Sequence, residues 1–380
     1  MRAEPSEHGD FFQQWQQACW HQHQLQSSSY HREQVLQALN KPKLTLTDFQ
    51  ALLSPAAEPL LPQLAAKAQQ LTRQRFGRTQ QLFAPLYLSN LCANECSYCG
   101  FSMSQKVKRR VLTADEVERE CLALRQSGIN QVLLVTGEHE RKVGIAYFRQ
   151  MLPLVRRHFS SVMLEVQPLS EAEYRELRQL GVDAVMVYQE TYQEAAYQRH
   201  HLKGQKSDIK WRLDCPDRLG KAGIDKIGIG VLFGLADWRT DATFLAMHLL
   251  YLQHRYWQSR YSLSVPRIRP CSGGIEVPHP LSDKHLVQLV CAFRLLSPSL
   301  EISLSTRERA ELRDQLVPIA ITSSSAGSST RPGGYAVDPE ALEQFSIDDN
   351  RSPKVYQQRL QQLGLAPVMK DWEPYLGRES

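Results

Sequence analysis

Three cysteines stand close together in the stretch LCANECSYCG, at Cys92, Cys96 and Cys99, in a C-x3-C-x2-C arrangement. Thiolates at such spacing bind metal. A structural zinc ion takes four protein ligands, so a zinc site here needs a histidine as its fourth ligand, because no second C-x2-C pair follows. A four-iron iron–sulfur cluster also takes four ligands, normally cysteines. Three cysteines at such a cluster leave one iron open to a ligand that is not protein.

The remaining cysteines are scattered singly through the chain. They are Cys19, Cys121, Cys215, Cys271 and Cys291. Eight cysteines in 380 residues are too few for a secreted disulfide scaffold, and a solitary free cysteine usually packs as a small apolar side chain. The first residues, MRAEPSEHGD, do not form a secretory signal. We therefore expect free thiols and a cytoplasmic protein.

The composition is typical of a soluble globular protein, with 42% hydrophobic and 22% charged residues. The 45 basic residues exceed the 40 acidic ones by only 5, which is too small an excess to predict nucleic-acid binding. The longest basic run, KVKRR at 106–110, is interpreted as a solvated loop rather than a phosphate-binding track. No stretch approaches the roughly 18 apolar residues of a membrane-spanning helix. We expect neither nucleic acid nor a membrane as a partner.

The order of predicted elements indicates the fold class. Residues 10 to about 76 carry an amphipathic helical pattern that Gly77 is expected to end. Beyond it, helical patterns, such as the one beginning with the Thr113–Glu116 capping box, alternate with apolar runs typical of strands. The strand candidates are 84–90, 130–137, 162–168, 182–189, 225–234, 261–268, 300–305 and 318–324. Eight strand–helix units favour a parallel (βα)8 TIM-type barrel, because parallel strands need crossover helices; a doubly wound open sheet is the alternative.

We predict three parts: a helical N-terminal extension over residues 1–80, the barrel over residues 81–330, and a C-terminal segment over residues 331–380 that packs on the barrel. The active sites of such barrels lie where the carboxyl ends of the strands meet. Polar residues stand at these ends: Asn90 with the cysteine loop, Gly137–Glu138, Glu165–Gln167, Tyr188–Glu190, Arg267–Arg269 and Ser305–Arg307. This distribution predicts a ligand-binding mouth.

Two other motifs carry less chemistry. Gly333 and Gly334 are tested as a phosphate-binding loop, but the chain has no Gly-x-x-x-x-Gly-Lys-Ser/Thr motif, and PGGY is typical of a turn. His200 and His201 are neighbours in sequence, so on a helix their side chains point apart and do not form a metal site together.

The cysteine motif, placed after the first barrel strand and with Tyr98 just before its last cysteine, resembles that of the radical S-adenosylmethionine enzymes. The resemblance implies a radical SAM barrel that carries a 4Fe–4S cluster on Cys92, Cys96 and Cys99. It also implies that S-adenosyl-L-methionine chelates the open iron through its amino and carboxylate groups. One-electron cleavage of this cofactor would yield a 5'-deoxyadenosyl radical.

Longer stretches narrow the resemblance. From about residue 45 onward the chain is similar to the 2-iminoacetate synthases, the tyrosine lyases of thiamine thiazole biosynthesis. The matching stretches are LYLSNLCANECSYCGFSMS, QVLLVTGEHERKVG, LEVQPL, VYQETYQEAAYQRHHLKGQK, DRLGKAGIDKIGIG, IRPCSGGIE, LSTRE and RPGGY. The similarity implies cleavage of the Cα–Cβ bond of L-tyrosine to 2-iminoacetate and 4-cresol. It also implies thiazole synthase as a partner that receives the unstable imine, and a flavodoxin- or ferredoxin-type reductant.

The resemblance assigns cofactor-binding residues. Glu138 would receive the ammonium of S-adenosylmethionine, although a carboxylate facing a helix dipole is an alternative interpretation. Glu165 would bind the ribose hydroxyls of the cofactor, and the backbone of Tyr98 would contact its adenine. Arg212 would hold the cofactor carboxylate, with an exposed helix arginine as the alternative.

The substrate needs a cation for its carboxylate. Arg307 in LSTRE is the candidate, because guanidinium binds a carboxylate bidentately and the position follows the seventh strand. Arg267 and Arg269 are competitors, and pairing of one of them with Glu276 is the alternative. Ser325 resembles the family serine near the substrate amine, with an uncertainty of one position in the serine-rich stretch, and a plain turn is an alternative.

Related enzymes set the remaining alternatives. A hydrogenase maturase that also cleaves tyrosine carries a second, C-terminal cysteine motif, whereas the last cysteine here is Cys291. A tryptophan lyase shares the amine-abstraction chemistry and differs mainly in its pocket. An iron–sulfur electron carrier without radical chemistry belongs to a different functional class and needs no substrate cavity.

Overall fold

The computed structural model describes residues 10–271, 274–338 and 343–369. Eight parallel strands in this part of the chain close into a barrel, which confirms the (βα)8 prediction and excludes the open sheet. The strands are β1 (Thr79–Ser89), β2 (Glu95–Cys96), β3 (Gln131–Thr136), β4 (Ser161–Glu165), β5 (Ala184–Met186), β6 (His201–Lys203), β7 (Lys226–Gly230), β8 (Arg260–Ser264), β9 (Glu301–Leu304), β10 (Ser323–Ser325) and β11 (Ala366–Val368).

The barrel order is β1-β3-β4-β5-β7-β8-β9-β10, and β10 pairs back onto β1. The closing register aligns Gln81 with Ser323 and Phe83 with Ser325. The start of β1 also pairs with β11, so the end of the described chain adds a short strand outside the ring. The remaining strands, β2 and β6, form a separate antiparallel pair at the cysteine loop.

The last barrel strand was predicted in the wrong place. Residues 318–320 of the candidate 318–324 belong to a helix, and the strand itself is Ser323–Ser325. Leu312, Leu316 and Ala320 are buried at a spacing of four, which is the period of a helix face. Pro318 is tolerated within the last turn of this helix, whereas three consecutive serines give no apolar strand signal.

The helices surround the barrel and precede it. They are α1 (Phe11–Gln17), α2 (Trp20–Ser27), α3 (Arg32–Asn40), α4 (Leu46–Leu53), α5 (Leu61–Phe76), α6 (Ala114–Gln126), α7 (Glu140–Val143), α8 (Ile145–His158), α9 (Glu171–Gln179), α10 (Glu194–His200), α11 (Ile209–Leu213), α12 (Cys215–Lys221), α13 (Trp238–Arg255), α14 (Asp283–Leu296), α15 (Ala310–Ala320) and α16 (Pro353–Gln362). As predicted, the N-terminal helices end at Gly77, whose φ of +62° suits glycine, and Thr113 and Glu116 form a capping box. The helices α4 and α5 pack against the outer helices α13 to α15. No helix among the described residues has both the length and the apolar character needed to cross a membrane.

Two apolar layers hold the fold. The large core lies between the strands and their helices and extends into the N-terminal helices. A smaller group lies inside the barrel, with Leu133, Val135, Met163 and Met186 among its buried members. Leu133, Val135 and Met186 of this group also line the cavity described below.

The opposite end of the barrel is held by a buried ionic network. Lys226 Nζ lies 3.0 Å from Glu301 Oε2, and an Arg260 nitrogen lies 2.6 Å from Glu301 Oε1. We expect Glu301→Ala to lower the free energy of unfolding by about 3–5 kcal/mol, because it leaves a buried ammonium without its counterion. Denaturant titration measures this loss. The exposed Glu311→Ala is the matched control, and an equal effect of both variants would contradict the interpretation.

This network also makes stability depend on pH. Burial alone would raise the pKa of Glu301, but Lys226 and Arg260 hold it below its ordinary value. A carboxyl group whose pKa is lower in the folded state than in the unfolded state stabilises the protein at pH values above its unfolded-state pKa. This stabilisation is lost as the pH falls through the folded-state pKa. The stability difference between the wild type and Glu301→Gln should therefore shrink as the pH falls below about 5.

Candidate active site

The cysteine loop follows β1 and is fixed by backbone contacts on both sides. Its short strand β2 pairs with β6, which places Cys96 opposite His201. The backbone N–H of Cys96 donates to Ser102 Oγ at 3.0 Å. Such contacts hold the loop in one shape without using the thiols themselves.

Arg109 organises the far side of this loop. Its guanidinium donates to the backbone carbonyls of Asn90, Phe101, Ser102 and Gln105. The basic run at 106–110 is therefore only partly the solvated loop expected from its sequence. Sequence reasoning missed this role because a run of charges carries no signal for which of its members turns inward.

The histidine pair supports the same loop. His200 Nδ1 lies 2.7 Å from Ser97 Oγ, and His201 Nε2 lies 2.7 Å from the hydroxyl of Tyr98. The hydrogen bond with His201 thus fixes the position of the Tyr98 side chain. The backbone carbonyl of Tyr98 accepts a hydrogen bond from the thiol of Cys271 at 3.2 Å. The two histidines bind the loop rather than a metal.

All three motif cysteines line one cavity. Burial raises the pKa of Cys92 to about 11, and it raises the pKa of Cys96 while the ammonium of Lys206 pulls it down. Thiols so buried are uncharged unless a metal ion replaces their protons. Among the described residues no three His, Cys, Asp or Glu side chains converge on one ion.

A charged network lies beside the cysteines. Arg212 donates to Glu138 at 3.1 Å and lies 3.5 Å from Glu190, and Lys206 Nζ lies 2.7 Å from Glu190. Asn94, within the cysteine motif, donates to Glu138 at 2.7 Å and accepts from the backbone N–H of Lys206. This network joins the cysteine loop to Glu138 and Glu190, which follow the barrel strands β3 and β5.

The pKa values of the network follow from its pairing. Burial would raise the pKa of Glu138, but Arg212 and Lys206 hold it below its ordinary value. Burial would likewise lower the pKa of Arg212, which Glu138 raises instead. Arg212 is only 5% exposed, so the alternative of an exposed helix arginine is wrong.

Sequence reasoning missed Lys206 and did not give Glu190 a role. Glu190 has a φ of +71°, the only positive φ of a non-glycine residue in the described ranges. Such a conformation costs about 1–3 kcal/mol and persists where surrounding structure holds it. The ion pairs with Lys206 and Arg212 hold Glu190 in this conformation at the wall of the cavity.

The wall of the cavity opposite this network carries Arg307, which follows β9, whereas Glu165 ends β4 between β3 and β5, on the side of the network. The guanidinium of Arg307 stacks 3.4 Å over the ring of Phe345 and has no hydrogen-bond or ion-pair partner among the described side chains. Burial lowers the pKa of Arg307 and raises the pKa of Glu165 to about 7. Arg307 therefore presents a free planar cation to the cavity.

Ser325 lines the same wall at the end of β10. Its Oγ accepts a hydrogen bond from the backbone N–H of Thr306 at 3.0 Å. Its carbonyl accepts from Arg313, which is buried in an ion pair with Asp349. The hydroxyl proton of Ser325 is thus free to point into the cavity.

The competing arginines are engaged elsewhere. Arg267 lies 2.8 Å from Asp283 and also pairs with Glu308. Arg269 pairs with Asp348. The predicted pairing of one of them with Glu276 is wrong, because acidic residues of the barrel mouth lie closer, and Arg307 stays the candidate for a substrate carboxylate.

The cavity has an empty volume of about 1490 Å³, including the part open to solvent. Every predicted site residue lines this one space: Cys92, Cys96, Tyr98, Cys99, Glu138, Glu165, Arg212, Arg307 and Ser325.

Comparison with known proteins assigns the family. Residues 86–246 match the model described as "Radical SAM superfamily", and residues 264–366 match "Biotin and Thiamin Synthesis associated domain". The 2-iminoacetate synthase of Escherichia coli (strain K12) is 56% identical over 97% of this chain and 98% of its own, and that of Salmonella typhimurium is 55% identical over the same shares. The chain belongs to the 2-iminoacetate synthase family of radical SAM enzymes.

Solved structures agree with this membership. The FeFe-hydrogenase maturase HydG has a TM-score of 0.88 and 29% identity, and the match covers 95% of this chain and 81% of the maturase. Methylornithine synthase matches with a TM-score of 0.72 at 20% identity, over 88% of this chain and 97% of its own, and shares the fold. Radical SAM enzymes use S-adenosylmethionine and an iron–sulfur cluster, and this chain does so as a member of that superfamily.

Proposed function

We propose that this 2-iminoacetate synthase family lyase breaks the Cα–Cβ bond of L-tyrosine in the cavity at the barrel mouth. The products are 2-iminoacetate and 4-cresol, with 5'-deoxyadenosine and methionine formed from S-adenosyl-L-methionine, and the imine supplies the thiazole of thiamine. One observation carries the proposal. Three thiols, the acid–base pair Glu138–Arg212 and the unpaired guanidinium of Arg307 all face one cavity.

Cys92, Cys96 and Cys99 would hold a 4Fe–4S cluster with one iron left for the cofactor. When bound, the reduced cluster and S-adenosylmethionine supply a 5'-deoxyadenosyl radical that takes a hydrogen from the tyrosine amine. The chain's own part is to bind both amino acids and to exclude water.

Glu138 and Arg212 suit the amino-acid end of S-adenosylmethionine. An α-amino acid presents an ammonium and a carboxylate side by side, and these two side chains stand 3.1 Å apart with opposite charges. Each would exchange its present partner for the cofactor's opposite charge. Glu165 would accept from the ribose hydroxyls, and the backbone of Tyr98 would meet the adenine.

Glu138→Gln should weaken S-adenosylmethionine binding by about 10–100-fold, because a neutral amide replaces the partner of a desolvated ammonium. Anaerobic isothermal titration of the reconstituted protein measures the dissociation constant. Glu140→Gln, an exposed change two residues away, is the matched control. Equal affinity in Glu138→Gln and the wild type would remove Glu138 from the cofactor site.

Substrate tyrosine would lie between the cofactor and the opposite wall. Arg307 would bind its carboxylate bidentately, while the contact with the Phe345 ring helps to hold the guanidinium in place. Ser325 would meet the amine through its free hydroxyl. The buried rings of the barrel interior, such as Tyr87, would lie near the phenol side.

Partners follow from the chemistry of the products. The imine hydrolyses readily, so direct transfer to thiazole synthase protects it, and a flavodoxin- or ferredoxin-type reductant supplies electrons to the cluster. We place the protein in the cytoplasm, because its described cysteines are all free thiols. We also retain the three-part division into residues 1–80, 81–330 and 331–380.

The test offers tyrosine and tryptophan separately to the reconstituted, reduced protein with S-adenosylmethionine. The proposal expects 4-cresol and glyoxylate, the hydrolysis product of the imine, from tyrosine alone. Indole products from tryptophan without cresol from tyrosine would move the protein to the tryptophan lyases. If S-adenosylmethionine leaves the spectrum of the reduced cluster unchanged, the result would support an electron carrier instead.

A further inference from the structure

The segment 343–349 crosses the barrel mouth next to the cysteine loop. The backbone N–H of Gln344 donates to the carbonyl of Thr330 at 2.9 Å, and that of Asp348 donates to the carbonyl of Thr306 at 3.0 Å. These bonds fasten the segment at two points of the mouth. Its side chains therefore keep a fixed place over the cavity.

Gln344 bridges a tyrosine and a motif cysteine. The hydroxyl of Tyr87 donates to Gln344 Oε1 at 2.7 Å, and Gln344 Nε2 donates to Cys99 Sγ at 3.6 Å. A thiolate only accepts hydrogen bonds, so the amide nitrogen has to face it. The hydroxyl of Tyr87 then meets the amide oxygen, and both contacts specify the same orientation.

Gly100, the residue after Cys99, leaves room for the segment 343–349 to come close. A Cβ atom at Gly100 would stand 2.7 Å from the carbonyl oxygen of Gln344 and 3.3 Å from that of Glu343. Real Cβ contacts with backbone are not this short. The absence of a side chain at Gly100 therefore lets the segment reach the cysteine, which is evidence independent of the hydrogen bond.

We propose that Gln344 is a positioning residue whose amide donates to the Cys99 thiolate and raises the reduction potential of the bound cluster. A hydrogen bond to a cluster thiolate stabilises the reduced state, which carries one more negative charge. The inference rests on the proposed cluster. It assigns to the C-terminal segment a share in setting how easily the cluster takes its electron.

The test compares the midpoint potentials of reconstituted wild type and Gln344→Leu by redox titration followed by electron paramagnetic resonance, at equal iron content. At one fixed potential the ratio of reduced to oxidised cluster should fall about fivefold, the factor for one ordinary hydrogen bond. Gln344→Glu keeps the side-chain length and places negative charge at the sulfur, so the ratio of reduced to oxidised cluster should fall further in this variant. Glu343→Gln, in the same segment, breaks the ion pair with Arg331 but keeps the side-chain amide of Gln344. It should leave the midpoint potential of the cluster unchanged.

Two results would overturn the inference. One is a wild-type potential in both Gln344 variants with full iron content. The other is an equal shift in Glu343→Gln, which would trace the effect to displacement of the segment. Failure of the proposed cluster is distinguishable, because then the wild type itself binds no iron–sulfur cluster. Failure of tyrosine cleavage alone would show in the product assay and would leave the predicted difference in potential in place.

Discussion

Cys96→Ala should abolish cluster binding and with it all 5'-deoxyadenosine formation. Cys96 is 6% exposed, lies in β2 and lines the cavity together with Cys92 and Cys99. Two remaining thiolates cannot supply the three iron ligands that the cofactor-binding form of the cluster needs. Iron and sulfide analysis, the visible absorption spectrum and product assays measure the loss.

The control for this change is Cys19→Ala, which removes an exposed thiol far from the motif. It should keep full iron content and activity. Unfolding curves of Cys96→Ala separate cluster loss from misfolding. Full activity of Cys96→Ala would contradict the assignment, and zinc in place of iron in the wild type would favour the Cys3His interpretation.

Arg307→Leu should lower kcat/KM for tyrosine by about a hundredfold to a thousandfold. Removal of one member of a desolvated charge pair costs roughly 2–5 kcal/mol, and each 1.4 kcal/mol is a factor of ten. Arg307→Lys keeps the charge but loses the planar fork, so its loss should be smaller. Steady-state assays with tyrosine as the varied substrate measure both variants.

If Arg307 binds the substrate carboxylate specifically, its removal should leave cofactor binding intact. Arg307→Leu should bind S-adenosylmethionine as the wild type does, because the proposed function places that cofactor's amino-acid end at Glu138 and Arg212. The exposed Arg309→Leu, which loses a pair with Asp283, should leave kcat/KM unchanged. Wild-type kcat/KM in Arg307→Leu would remove the residue from the substrate site.

The sequence predicted the ring of strands and most of its mouth. Apolar runs alternated with capped helices, and most of the polar residues predicted at the strand ends meet in one cavity; Asn90, Gln167, Gln189 and Arg267 do not line it. The strand Ser323–Ser325 was misplaced because serines have no strand signal and the last turn of the preceding helix, which ends at Ala320, contains Pro318 and Ile319. Local pattern carries the fold wherever apolar periodicity is strong.

Contacts between distant segments were beyond reach of such patterns. Lys206 joins Glu190, and Gln344 joins Cys99, over long separations in the chain. The φ of +71° at Glu190 has no sequence signal, because glutamate rarely adopts it. Which arginine stays unpaired, Arg307 rather than Arg267, likewise depends on which acidic side chains the fold brings near.

The most direct test of the central claim uses the wild type in D2O, with a reconstituted cluster, reductant, S-adenosylmethionine and L-tyrosine. Hydrogens on the tyrosine amine exchange with solvent, whereas hydrogens on carbon do not. We predict 5'-deoxyadenosine that carries one deuterium, together with 4-cresol and glyoxylate. Unlabelled 5'-deoxyadenosine, or its formation without 4-cresol, would contradict amine abstraction and cleavage of the Cα–Cβ bond in this cavity.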